Sequence, residues 1–256
     1  MNKNKKSQIT IFIIIALIIV VSIALVFVLK KPAAQGQISP IENPKAFVQR
    51  CVSGVLEETE ANLSAVGGLT DTENKLLNGN IKIAYYCYTP YDGVLCVNEH
   101  PMLNKEIEKL ILDSAKPKVE KCFSELKSQL AGYDYKEEPM EMNIEINVDS
   151  LAAKISKKIT YTRNGQIMTA ENFDTKINSP LWNFISITGD IMNQELNCDC
   201  ETDSCNADML KLSLDNPDFK ITKPENDDRG EIYSIEELDT GKTFSFALRN
   251  CVRRHY

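Results

Sequence analysis

Twenty-one consecutive residues, Ile9 to Leu29, carry no charge, and their only polar side chains are those of Thr10 and Ser22. A helix rises about 1.5 Å per residue, so this run covers roughly 30 Å, the thickness of a bilayer's hydrocarbon core. A helix also satisfies its own backbone hydrogen bonds there, and Thr10 and Ser22 can bond back to carbonyls within it. The sequence therefore predicts a transmembrane helix over 9–29. A cleaved secretory signal is the competing reading. Its apolar region is shorter, about 7–15 residues, and ends in a small-x-small site, for which only Ala33-Ala34-Gln35-Gly36 offers a match. Lys3, Lys5 and Lys6 precede the run and Lys30 and Lys31 follow it, a slight excess that favours a cytoplasmic segment over 1–8. Residues 30–42 then read as a juxtamembrane linker, rich in Gln, Gly, Ser, Pro and Ala without apolar periodicity.

Beyond residue 31 the chain carries 24 Lys and Arg against 36 Asp and Glu. Such an acidic domain repels phosphate backbones and offers no basic stripe to displace counterions, so nucleic acid is discounted as a partner. The expected partner is the lipid bilayer, together with surface proteins or further copies of the chain.

The N-terminal stretch Lys6-Ser7-Gln8-Ile9-Thr10-Ile11-Phe12 resembles the class III signal segments of archaeal pilins and archaellins. There a basic and a small residue precede a Gln-x-Ser-x-Glu start to an apolar helix. Thr10 stands here for the serine and Phe12 for the glutamate. The chain also resembles membrane-anchored archaeal proteins with this kind of start, through the helix from Cys51 to Gly68, a second helix bearing Cys122, and a strand like Phe244–Arg249. The resemblance implies topology, a helix in the membrane and a domain outside it, rather than a particular chemistry.

From Asn43 onward the pattern predicts an α+β domain of amphipathic helices packed on antiparallel hairpins, with a helical part over 43–135 and a mainly antiparallel sheet over 136–256. Asn43 suits a helix cap with Pro44 at the first position, and Gly67-Gly68 a helix end. Apolar residues at three- and four-residue spacing mark a second helix from about Pro101 to Leu130, with Pro117 expected to kink or break it. Ile81 to Tyr88 and Val94 to Val97 read as strands about the turn Tyr91-Asp92-Gly93. Period-two alternation starts at Met142, and Asn164-Gly165 is a strong hairpin signal. Ser179-Pro180 opens a third helix over about 180–197, with Leu181, Trp182, Ile185, Ile187, Ile191 and Leu196 as its buried side. Strands are expected near Met209 to Leu214, Phe219 to Ile221, Glu231 to Ile235 and Thr243 to Leu248.

Eight cysteines suit a disulfide framework. Cys87 and Cys96 flank a turn, Cys51 and Cys122 lie on helices expected to pack together, and Cys198, Cys200, Cys205 and Cys251 remain for two further bridges. Disulfides persist in oxidising compartments, so they also orient the anchor, with the C-terminal domain outside the cytoplasm. The alternative is zinc, held by Cys198-x-Cys200-x4-Cys205 with Cys251 and His255. Asp199, Glu201 and Asp203 begin a calcium-loop pattern, but Ser204 and Leu210 replace its glycine and glutamate. No cofactor is expected otherwise.

His100 and His255 lack the sequence context of a general base, and no motif for a serine nucleophile, a zinc peptidase or a phosphate loop is present. No catalytic residue is assigned. Asn62-Leu63-Ser64 is a glycosylation acceptor motif, and Tyr85, Tyr86, Tyr88 and Tyr91 cluster at the first hairpin. The expected function is that of an anchored extracytoplasmic structural, adhesion or pilin-like surface protein. The alternatives are an anchored hydrolase working through carboxylates or a metal, and a ligand-binding surface module.

Overall fold

The computed structural model describes residues 42–69, 74–200, 207–223 and 230–251. All of them belong to the unit Pro40–Tyr256. The expected transmembrane segment 9–29 and the segment before it lie outside the described residues, as does the linker except for Glu42. No helix among the described residues is long and apolar enough to cross a membrane.

Helix α1 spans Pro44–Ser64, and the Asn43 side chain accepts a hydrogen bond from the Ala46 amide at 3.0 Å, as its cap position predicts. Val48, Val52, Leu56 and Leu63 fall on one face and are buried. The helix stops where the Gly68 amide donates to the Leu63 carbonyl, with Gly67 and Gly68 both at positive φ. A side chain at Gly67 would bring its Cβ to 2.6 Å from the Ser245 carbonyl oxygen, so close approach as well as conformation requires glycine there.

Helix α2, Leu103–Gln129, runs unbroken through Pro117. Pro117 and Asp113 are both exposed, so the helical bond that proline cannot donate is missing on the solvent side of the helix. Ile107, Ile111, Ala115, Val119, Phe123 and Leu126 form its buried stripe.

Three sheets complete the fold. The largest has the order β1 (Lys75–Asn78), β2 (Ile81–Tyr88), β12 (Thr243–Arg249), β11 (Glu231–Glu237), β10 (Phe219–Thr222), with the two-residue β3 (Val97–Asn98) also on β2. The β2–β12 pair is parallel, which corrects the expectation of antiparallel hairpins alone. It also places strands from the two ends of the domain side by side. The second sheet is β5 (Glu141–Asn147), β6 (Ser150–Ser156) and β9 (Thr175–Asn178). The third is β4 (Tyr135–Glu137), β7 (Ile159–Arg163) and β8 (Gln166–Ala170), its β7–β8 hairpin turning at Asn164-Gly165 as the sequence predicts.

Helix α3 (Leu181–Leu196) buries Leu181, Phe184, Ile187 and Ile191, whereas Trp182 is 40% exposed rather than buried. Met209–Asp215 is helix α4, not a strand. Leu210, Leu212 and Leu214 alternate as in a strand, but Asp208 accepts from the Lys211 amide and starts a helix that buries Leu212 alone. Only Val97 of the expected strand Val94 to Val97 enters a ladder, and a two-residue turn at Gly79-Asn80 joins β1 to β2 in a hairpin that the pattern does not predict. The aromatic centre of the core lies where β2, β11, β12 and α3 meet: Tyr86 and Tyr233 each stack on Phe246, and Phe184 stacks on Phe244.

Candidate functional site

Cys51 and Cys122 are bridged, Cα atoms 5.9 Å apart, and fasten α1 to α2. Cys87 and Cys96 are bridged across the first turn region, and Cys200 is bridged to Cys251 near the end of β12. Cys198 is disulfide-bonded too, while Cys205 and His255 lie outside the described residues. A bridged sulfur is not the thiolate zinc requires, so the zinc set loses Cys198, Cys200 and Cys251. Asp199 is exposed; Glu201 and Asp203, its expected companions in a calcium loop, lie outside the described residues. Among the described residues no three His, Cys, Asp or Glu side chains converge on one point.

Asn62 is exposed in the last turn of α1, but the acceptor motif's Ser64 is buried. The tyrosines do not form one surface. Tyr85 and Tyr86 are buried, Tyr88 is half-buried and Tyr91 is 69% exposed.

Buried carboxylates are the most organised polar groups. Glu195 on α3 is 1% exposed. One carboxylate oxygen accepts from the Tyr233 hydroxyl and, at 2.9 Å, from the Ala207 amide, with Lys223 Nζ 3.7 Å away. Lys223 lies 2.6 Å from Glu231, and Asn250 donates to the Glu195 carbonyl at 2.6 Å. Burial, reinforced by the Glu195 charge, raises the Glu231 carboxyl above the usual range even though Lys223 pulls it down. Burial and the two neighbouring glutamates also raise the Tyr233 hydroxyl, so it stays a neutral donor. Two other glutamates have the same habit. Glu60 accepts from Ser179 Oγ at 2.7 Å and from Lys242 Nζ at 3.0 Å, and Glu108 accepts from the Ile146 amide at 3.1 Å and from Lys105 at 2.7 Å. Each ties an element to one distant in sequence. Their oxygens are committed to internal donors, so they brace the fold.

The start of α2 carries a feature the sequence did not reveal. His100 Nδ1 lies 2.6 Å from Glu106 Oε2, so a carboxylate six residues on fixes the ring. His100 also stacks at a tilt on Tyr86, whose hydroxyl donates to the Gly67 carbonyl and is raised by burial and by the Glu106 charge. Beside them a concavity of about 340 Å³ opens between the start of α2 and the side of α3, with His100, Met102, Asn104, Ile185, Met192 and Asn193 among its walls. A second, of about 310 Å³, is lined by Glu141, Lys154 and Asp174, and Asp174 Oδ1 accepts from the Ile155 amide. The carboxyls with displaced ionisation, Glu137 and Glu231, line neither, so convergent acids and a concavity do not coincide there. The first concavity mixes apolar walls, from Met102, Ile185 and Met192, with the polar His100, Asn104 and Asn193.

No protein-family model, curated protein or solved structure matches the chain.

Proposed function

We propose that the protein is a single-pass surface protein, anchored by Ile9–Leu29, whose disulfide-stapled α+β domain stands outside the cytoplasm in a structural, adhesion or pilin-like role. The observation that carries this reading is the conjunction of an uncharged 21-residue run with a domain holding bridges such as Cys51–Cys122 and Cys87–Cys96. A run of that length suits a bilayer, and bridges of that kind persist where thiols are oxidised. Protease added to intact cells tests the topology. The reading expects domain fragments to be released while a stub containing 9–29 stays with the membrane. Full protection of the domain, with digestion only after lysis, contradicts it.

The His100 concavity favours a second reading within the same topology, a ligand-binding surface module. Gly189 lines it, and a Cβ there meets nothing within 4 Å, so Gly189→Phe should fill the space without disturbing the helix. Native mass spectrometry of the full chain released from its own membranes expects a small-molecule adduct that this variant loses. An adduct-free native chain contradicts the reading.

A further inference from the structure

The outer edges of the three sheets differ in one respect. A sheet edge presents unpaired backbone amides and carbonyls, and chains blunt it with charges, lysine above all. β1 has Lys75, β10 has Lys220, β4 has Lys136 and Glu137, β5 has Glu141 and Glu145, and β9 has Lys176. The two-residue β3, Val97-Asn98, is uncharged too, but β8, Gln166-Ile167-Met168-Thr169-Ala170, is the longer uncharged edge, with no proline and no bulge, in a chain of net charge −7. It is exposed on both faces, with Ile167 at 74% and Met168 at 43%. Among the described residues no strand pairs with its outer side.

The hairpin register fixes which groups point outward. Arg163 and Gln166 flank a two-residue turn with Asn164 and Gly165 both at positive φ, so they exchange hydrogen bonds. Alternation then turns Gln166, Met168 and Ala170 toward β7 and leaves the amides and carbonyls of Ile167 and Thr169 facing out.

We propose that this edge docks a second copy of the chain, β8 against β8 antiparallel about a two-fold axis at Met168. In that register Ile167 faces the partner's Thr169 and exchanges two backbone hydrogen bonds with it. The symmetry repeats them, giving four. Met168 meets the partner's Met168, Gln166 meets the partner's Ala170, and no like charges oppose one another. The product is a continuous six-stranded sheet, β4-β7-β8 and its mate. A second copy is the occupant because the uncharged strand is self-complementary in register, whereas the rest of the acidic surface repels its own kind. One five-residue strand buries less than a free dimer needs, so the contact depends on two copies held in one membrane, where effective concentration is high. To that extent it rests on the anchored reading above.

The test uses the full chain in phosphatidylcholine vesicles, with a benzophenone amino acid in place of Ile167 and, as control, of Leu214, which is 72% exposed elsewhere. Irradiation should give a dimer-mass adduct from position 167, crosslinked near the partner's Thr169, and none from position 214. Met168→Lys places two ammonium groups across the axis and should reduce the adduct by about tenfold or more. Mixing Met168→Lys chains with Met168→Glu chains should restore it. Thr169→Pro, which removes an outward amide and no β7 bond, should also lower it, and intact bridges on a non-reducing peptide map show that each variant is folded. Absence of the adduct at 167, or its survival in Met168→Lys, overturns the proposal and leaves the anchored reading standing. Protection of the domain from protease added to intact cells would overturn its outward orientation without touching the crosslink.

Discussion

The two three-stranded sheets are alike in size and antiparallel, and they interleave along the chain, yet they are finished in opposite ways. In β5-β6-β9 the side chains of Ile144, Ile146, Leu151, Ala153, Ile155 and Ile177 are buried, and α1, α2 and α3 pack against its strands. In β4-β7-β8 burial centres on Ile159 and Tyr161 of the middle strand, and β8 meets the core only through the partly buried Ala170 at its end. The roofed sheet therefore carries stability, and the open one has an edge to spare for a partner.

Four variants sharpen or break that contrast. Leu151→Ala hollows the roofed sheet at a fully buried site and should cost about 2–5 kcal/mol in chemical denaturation. Replacing Cys51 and Cys122 together by serine frees α1 from α2, the roof itself, and should cost about 2–4 kcal/mol on the same measurement.

Glu137, on β4 of the open sheet, is tuned differently. Burial would raise its carboxyl, but ion pairs with Lys157 at 2.9 Å and Lys127 at 3.0 Å hold it below the usual range. Its contribution is present above the unfolded carboxylate value of about 4.3 and is lost as pH falls through the lower folded value. Glu137→Gln should therefore remove up to about 1 kcal/mol near neutrality and flatten the acid-side loss of stability, read from denaturation midpoints between neutral and acid pH.

Ile167→Ala on β8 should change monomer stability by less than about 0.5 kcal/mol, because the side chain is already in water. A loss as large as that of Leu151→Ala would erase the distinction between the sheets.

Signals confined to a few neighbouring residues were readable in advance. Asn43-Pro44 and Gly67-Gly68 bound α1, and Asn164-Gly165 turns the hairpin that creates the open edge. Both helix-to-helix and turn-flanking cysteine pairs could be read because the apolar stripe and the turn supply a geometry. Pairings between remote segments could not. Nothing in Ile81–Tyr88 announces that Thr243–Arg249 lies parallel to it, since parallel pairing depends on the path of all the chain between them. In α4 the period-two leucines point to a strand, whereas the Asp208 cap decides a helix this short. The candidate site was the least legible part. His100 and Glu106 are six residues apart with Pro101 between, and the donors of Glu195 come from Ala207 and Tyr233, which no local pattern joins to it.

The central claim is a stapled domain that matures where thiols are oxidised. It is tested most directly by non-reducing peptide mapping of the full chain from cells lysed into a thiol-blocking reagent. The account predicts linked peptides for Cys51–Cys122, Cys87–Cys96 and Cys200–Cys251, with no blocked cysteine among these six. Recovery of the six as blocked free thiols would contradict both the bridges and the orientation they support.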